Sequence, residues 1–324
     1  MTLDELRRPA PATSPLLTLR SERWEVDVLP GTGAALAAGR IRTADGLWRD
    51  LLRPTPRSRR ADPERTSSFP MLPWSNRIDG GVLPFAGRTW QLQRNGADGT
   101  AIHGALRHAP WAVMTRDDES VVLEAVASDM VGVNFPWRFT ARVGYALVGD
   151  SLEVTTTLRN ADDEPIPAGF GHHPYFRRSL TPIGSATPDE PGQPLLRVGA
   201  NAGYVLHGGL ALDAAGAIPP RADFRAERRV SVIHVDDVLT DRAPGPLATI
   251  RYADAGVTVT LEADETYSHV VVYAPRGRNH FAVEPTTHVN GGFALHAAGV
   301  PGTGVVVLGP GEERSAAFRI TVAG

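Results

Sequence analysis

The chain has 324 residues, 42% of them apolar, with 33 basic and 36 acidic side chains and a formal net charge of −3. This balance excludes the strongly basic surface typical of proteins that bind nucleic acid or anionic membranes. The sequence has no Cys and no Lys, which excludes disulfides, thiolate and Schiff-base nucleophiles and Cys-ligated metals. Any catalysis therefore depends on His, Asp, Glu and Arg side chains.

Residues 1–15 combine mixed charge with several prolines and lack the apolar core of a signal peptide. We expect a flexible N-terminal segment there, followed by a single domain over residues 16–324. No run approaches the roughly 18 apolar residues that a membrane span requires. These features predict a cytoplasmic protein that binds neither membrane nor nucleic acid.

Alternation of apolar and polar residues with period 2 is the dominant pattern along the chain. In residues 137–160, Leu152, Val154 and Leu158 share one face, and the pair Gly149-Asp150 supplies a tight turn, which predicts an antiparallel hairpin. Similar patterns predict a hairpin at residues 16–29 and strands at 120–127, 257–263, 269–274, 304–308 and 314–322.

The 33 Gly and 27 Pro residues lie mostly between these runs, as many short turns require. Residues 178–229 are rich in Pro, Ala and Gly and are predicted to form long loops across one end of the molecule. The pattern as a whole predicts an all-β fold, a large antiparallel β-sandwich with few short helices.

Two early segments carry candidate binding residues. Asn76 and Arg77 stand beside the Gly80-Gly81 turn and offer several hydrogen-bond donors, although Arg77 could equally pair with a nearby carboxylate. His103 lies in a loop, where a single histidine is more often structural than functional.

Two adjacent histidines, His172 and His173, precede Pro174, which favours an extended backbone at His173. On an extended chain their side chains point to opposite faces, so only one of them can serve a given site. This geometry also disfavours a metal site, and we predict none.

Two carboxylate segments complete the candidates. Asp236 and Asp237 follow a β-branched run near a strand end, where a turn or capping role is the alternative. Glu284 alternates with Phe281 and Val283, so it emerges on the polar-tolerant face of an apolar strand. Partial burial there raises the pKa of a carboxyl group toward a value suited to a general base.

Taken in order, these segments resemble the aldose 1-epimerase family, also called galactose mutarotase-like. The resemblance rests on Asn-Arg-Ile and Gly-Gly within residues 75–81, His103-Gly104, His173-Pro174-Tyr175-Phe176, Asp236, and Glu284-Pro285. Trp74 and His288 make the chain more similar to an uncharacterised epimerase-like branch than to the best-known galactose mutarotases; the roles of His172 and His288 are open.

The resemblance implies a β-supersandwich with a sugar site in a cleft on one sheet face, and no cofactor. It implies Glu284 as general base and His173 as general acid. Arg77, His103 and Asp236, assisted by Asn76, would bind sugar hydroxyls. A neighbouring carboxylate would be expected to raise the pKa of His173.

The implied reaction interconverts the α and β anomers of a free aldohexose, in a monomer or homodimer. A hexose-phosphate mutarotase is an alternative, for which Arg177-Arg178 could bind the phosphate. A sugar-binding or regulatory protein without activity is another, and a glycosidase using Asp236 and Glu284 is a third.

Overall fold

The computed structural model describes residues 16–185, 192–230 and 234–324; the predicted N-terminal segment lies outside these residues. The regular structure of the described part is almost entirely antiparallel β-strand, with one short α-helix, α1 (Gly292–Ala297), which confirms the predicted all-β class. None of its helices is long and apolar enough to cross a membrane.

The strands of the first half of the chain are β1 (Leu17–Arg20), β2 (Trp24–Leu29), β3 (Ala35–Arg42), β4 (Trp48–Asp50), β5 (Pro70–Met71), β6 (Arg77–Ile78), β7 (Val82–Phe85), β8 (Arg88–Gln91), β9 (Ala101–Ile102), β10 (Ala112–Arg116), β11 (Ser120–Val126), β12 (Phe139–Val148) and β13 (Ser151–Asn160). The second half contains β14 (Ile166–Ala168), β15 (Gly171–His172), β16 (Tyr175–Arg177), β17 (Leu195–Val198), β18 (Ala200–Gly203), β19 (Leu206–His207), β20 (Leu210–Ala211), β21 (Arg228–Arg229), β22 (Val235–Arg242), β23 (Ala248–Tyr252), β24 (Val257–Ala263), β25 (His269–Ala274), β26 (His280–Thr286), β27 (Val306–Leu308) and β28 (Glu313–Ala323). Short 3₁₀ helices lie at Arg57–Arg59, Pro63–Arg65, Asp79–Gly81, Ala127–Asp129, Pro220–Ala222 and Ala253–Ala255.

Two large sheets form the sandwich. A nine-stranded sheet has the order β10-β11-β12-β13-β28-β24-β23-β17-β21. A seven-stranded sheet has the order β18-β22-β25-β26-β15-β5, with β16 also paired to β26. The long strands β12 and β13 pair from Phe139↔Asn160 to Val148↔Ser151 around Gly149, so the predicted hairpin is confirmed.

The core lies between the two sheets because each contributes an apolar face. Leu152, Val154 and Leu158 of β13 are buried as the alternation predicts. From the seven-stranded sheet, Phe281 and Val283 of β26 belong to the same core cluster. Burying one such side chain contributes about 1.5–3 kcal/mol, so the core of the sandwich depends on this alternation.

The prediction of long loops over residues 178–229 is wrong in part. Within it, β17 pairs with β23 in the nine-stranded sheet, and β18 pairs with β22 at the edge of the seven-stranded sheet. Each strand is only four residues long, and β18 consists of Ala, Asn and Gly, so the sequence alternation that marks them is weak. Distant partner strands stabilise them.

Candidate functional site

The outer face of the seven-stranded sheet carries the candidate acid and base. Asp236 of β22 pairs with Tyr273 of β25, Tyr273 pairs with Ala282 of β26, and Ala282 pairs with Tyr175 of β16. Cross-strand pairs share a face, and Glu284 lies two residues beyond Ala282 on the same face. The alternation that buries Phe281 and Val283 in the core therefore turns Glu284 outward, as predicted.

His173 and Glu284 are in direct contact. The Nε2 atom of His173 lies 3.2 Å from Oε1 of Glu284, and the two side chains are only 7% and 2% exposed. The His173 backbone amide donates to the Phe69 carbonyl at 3.0 Å. Its ring packs against those of both Phe69 and Tyr175, with centroids 5.0 and 4.3 Å away, so the imidazole is held in one orientation.

Burial shifts the two pKa values in opposite directions. Burial, assisted by the charge of Asp236, raises the pKa of Glu284 well above its usual value despite the opposing effect of Arg77. Burial, assisted by the charge of Arg53, lowers the pKa of His173 to about 3. The expectation that the neighbouring carboxylate raises the pKa of His173 is therefore wrong, because desolvation prevails. Burial thus favours the neutral form of both residues, which places the proton of the pair on Glu284.

The adjacent His172 points away from this site, as the extended backbone predicts. Its Nε2 lies 2.7 Å from the Thr156 hydroxyl of β13, and its ring lies 5.1 Å from that of Phe318 in the core. Burial lowers the pKa of His172 to about 3, so the side chain is neutral there. His172 is a polar residue of the sandwich interior.

Asn76 and His103 lie in two loops that fold against each other. The His103 amide donates to the Asn76 carbonyl at 2.9 Å, and both residues have positive φ, +62° and +52°. Gly104 follows with φ +78°, and a Cβ atom there would lie 2.1 Å from the Leu72 carbonyl oxygen. This packing brings the His103 ring to 5.5 Å from that of His173, edge to face.

Arg77 lies close enough to influence the whole cluster. Its charge acts on the pKa values of Glu284, His173, His103 and Asp236. Its Nε donates to Asp98 at 2.9 Å, so the ion pair that was the alternative role for Arg77 is present as well. One carboxylate thus orients the guanidinium from outside the cluster.

Asp236 and Asp237 have different environments. Asp236 faces the cluster; its pKa is raised by burial and by Asp237, although Arg77 opposes the shift. Asp237 points to the opposite face, is 0% exposed, and accepts two hydrogen bonds from Arg221, at 2.9 and 2.7 Å. Asp236 is therefore the member of the pair that a ligand at Glu284 can reach.

This difference predicts two separable phenotypes. We expect Asp237→Asn to reduce the free energy of unfolding by about 1–3 kcal/mol, because a buried charged hydrogen bond is weakened, while KM for a sugar stays near wild type. We expect Asp236→Asn to raise KM about tenfold without loss of stability. Denaturant titration and steady-state kinetics measure both, and a KM effect confined to Asp237→Asn would contradict the assignment.

Several buried polar atoms in the cluster have no hydrogen-bond partner among the described residues. They are Nδ2 of Asn76, Nδ1 of His103, Nδ1 of His173 and Oε2 of Glu284. A buried polar group without a partner costs about 1–3 kcal/mol, so native proteins rarely retain several together without a functional reason. Donors and acceptors mixed in this way match a ligand with several hydroxyl groups.

The sequence interpretation missed the residues that hold the acid. Phe69 and Tyr273 were not singled out, although Tyr273 interrupts an apolar strand and its ring lies 6.1 Å from that of His173. Arg53 stacks on Tyr175 at 3.7 Å and contacts His280 Nε2 at 3.2 Å. Nothing in its local sequence marks Arg53, because only the sheet pairing brings it there.

The structure does not favour the phosphate-binding alternative. Arg178, proposed as part of a phosphate-binding pair, is buried and donates through Nη1 to the Val230 carbonyl at 2.9 Å. Within residues 16–185, 192–230 and 234–324, no group of three or more His, Asp or Glu side chains could hold a metal ion.

Comparison with known proteins places the chain in a family. The chain is 35% identical over 136 residues to the uncharacterized protein YphB of Escherichia coli (strain K12), covering 41% of this chain and 44% of YphB. It is 26% identical over 218 residues to the uncharacterized protein YihR of the same organism, covering 66% and 68% of the two chains. The fold matches that of a galactose mutarotase-like protein from Clostridium acetobutylicum with TM-score 0.80, at 18% identity and 95% coverage of each chain. The family model for aldose 1-epimerase matches residues 15–321, so the chain belongs to the aldose 1-epimerase family.

Proposed function

We propose that the protein is a mutarotase that interconverts the α and β anomers of a free aldohexose by general acid/base catalysis. The observation that carries the proposal is the 3.2 Å contact between His173 Nε2 and Glu284 Oε1 on a buried sheet face. The hydroxyl oxygen and the ring oxygen of the substrate are both bonded to C1. An acid and a base that act on them must therefore lie close together.

Glu284 takes the proton from the C1 hydroxyl while His173 protonates the ring oxygen, and the bond between C1 and the ring oxygen breaks. The resulting aldehyde rotates about C1–C2. Reversal of the two proton transfers closes the ring on the other face of C1. No electrons are transferred and no covalent bond to the protein forms. Each positioned acid or base contributes about 10²–10⁴-fold to the rate.

Arg77, His103 and Asp236, assisted by Asn76, orient the ring hydroxyls in this proposal. The unpartnered Nδ2 of Asn76 and Nδ1 of His103 are available for such contacts. The resting pair carries its proton on Glu284, because burial disfavours the charged forms of both residues. A C1 hydroxyl that donates to Glu284 stabilises its ionised form and so favours transfer of that proton to His173.

Polarimetry of freshly dissolved α-glucose, α-galactose and their 6-phosphates tests the proposal. Acceleration of the approach to equilibrium for a free sugar is the expected result. Acceleration confined to a phosphorylated sugar would favour the hexose-phosphate alternative. Sugar binding measured by calorimetry without acceleration would identify a binding protein. The absence of both binding and acceleration would contradict the proposal.

The pH dependence of kcat/KM should show a broad plateau with two limbs. Below the plateau a second proton enters the pair and no base remains; above it the single proton is lost and no acid remains. Because the pKa of His173 is lowered to about 3, the acid limb should fall below about pH 5, not near the ordinary histidine value of 6.5. An acid limb at pH 6–7 in folded protein, corrected for the uncatalysed reaction, would contradict this assignment (roughly the range for an unperturbed histidine).

A further inference from the structure

A completely buried histidine follows the strand that carries Glu284. His288 is 0% exposed, and its Nδ1 lies 2.9 Å from the Val289 carbonyl oxygen. A carbonyl only accepts, so Nδ1 carries the hydrogen and Nε2 is an acceptor. That acceptor receives the backbone N–H of Ser75 at 3.0 Å. The neutral imidazole thus bridges two segments distant in sequence.

Ser75 begins the segment that presents Asn76 and Arg77 to the candidate site. The other end of the segment is held from the same side, because the Gly291 amide donates to the Arg77 carbonyl at 2.9 Å. Residues 288–291 therefore bond to the loop on both sides of Asn76. The strand that positions Glu284 leads directly into residues 288–291. The placement of Glu284 and the placement of Arg77 are therefore linked.

The position of the imidazole depends on close packing. A Cβ atom on Gly169 would lie 2.1 Å from Cδ2 of His288, so the ring occupies space that only glycine leaves open. The Gly169 amide donates to the Pro73 carbonyl at 2.8 Å, and the Phe293 ring lies 5.2 Å from the imidazole. The surroundings hold the ring at one distance from the Ser75 amide.

We propose that His288 is a positioning residue that sets the location of Asn76 and Arg77 relative to Glu284. The inference rests on the proposed function, since it assigns Arg77 to the sugar and Glu284 to its C1 hydroxyl. His288 itself touches neither substrate nor reacting atoms. It acts through the Ser75 backbone, and displacement of Arg77 and Asn76 would weaken the hydrogen bonds that they are proposed to make to the sugar.

Two variants separate the hydrogen bond from the packing. His288→Met fills similar volume without an acceptor for Ser75, whereas His288→Gln offers Oε1 at a similar reach. We expect His288→Met to raise KM about tenfold, the equivalent of 1.4 kcal/mol of binding, because Arg77 shifts while the His173–Glu284 contact stays. We expect kcat to change less than about threefold, and His288→Gln to restore KM to within about threefold of wild type.

Hydrogen exchange of the backbone amides of residues 75–77 gives a readout independent of activity. His288→Met should accelerate exchange there, and His288→Gln should not. The matched control is His172→Met, another buried neutral histidine, which bonds to Thr156 in the core. It should lower the unfolding midpoint but leave KM and exchange at residues 75–77 unchanged.

Unchanged KM and exchange in folded His288→Met would overturn the inference while leaving the mutarotase proposal intact. If the wild type accelerates mutarotation of no aldose, the proposed function fails and exchange alone decides. Faster exchange restricted to residues 75–77 would then support the positioning role, and unaltered exchange would overturn it.

Discussion

Replacing Glu284 with Gln is expected to reduce kcat for mutarotation by about 10²–10⁴-fold, the usual contribution of one positioned base. Gln preserves the size of the side chain but cannot take the proton from the C1 hydroxyl. KM should change little, because sugar binding is assigned to Arg77, His103 and Asp236. The folded state should be at least as stable, since the raised pKa of Glu284 shows that burial disfavours its ionised form. Polarimetry and thermal unfolding measure the two effects.

Two further variants test whether the position of the Glu284 carboxyl group matters. Glu284→Asp keeps a carboxyl group but withdraws it from the substrate, and a shift on this scale should cost about 10²-fold in kcat. Glu262→Gln changes an exposed glutamate of β24 and should leave the kinetics unaltered. A Glu284→Gln enzyme with near-normal kcat would remove Glu284 from the mechanism.

Replacing His173 with Asn should also lower kcat by about 10²–10⁴-fold, because no group remains to protonate the ring oxygen. The ring contacts with Phe69 and Tyr175 are lost too, so the free energy of unfolding should fall by about 1 kcal/mol. Polarimetric initial rates over a range of sugar concentrations up to saturation separate this loss of kcat from any change in KM.

The neighbouring histidine provides a matched control for this experiment. His172→Asn makes the same chemical change one residue earlier, but on the core side of the sheet next to Thr156. It should lower stability and leave kcat near that of the wild type. Equal losses of kcat in the two variants would show that the His173 effect arises from packing and not from proton transfer.

The long strands of the nine-stranded sheet could be predicted from sequence because one face of each is buried. In β12 and β13 a shift of one residue would expose every apolar side chain, so the pattern determines both strand and register. Short strands lack this constraint. β17 and β18 each have four residues, and pairing with β23 and β22 stabilises them where local alternation does not.

The identities of the candidate site residues could likewise be found from the order of their motifs. Their arrangement could not, because His173, Glu284 and Arg77 come from separate segments joined only by sheet pairing and loop contacts. The predicted direction of the shift in the His173 pKa is wrong for the same reason. A carboxylate neighbour can be inferred from sequence, but burial of the imidazole against Phe69 and Tyr175 cannot.

By itself, the sequence determined the all-β class, the opposed directions of His172 and His173, and the outward face of Glu284, since backbone alternation is a local property. Tertiary structure alone decided the directions in which the pKa values of Glu284 and His173 shift and how Asp236 differs from Asp237. It also decided that His288 bonds to the Ser75 amide. Desolvation and hydrogen bonding depend on all the atoms around a group, and most of those atoms belong to residues far away in the chain.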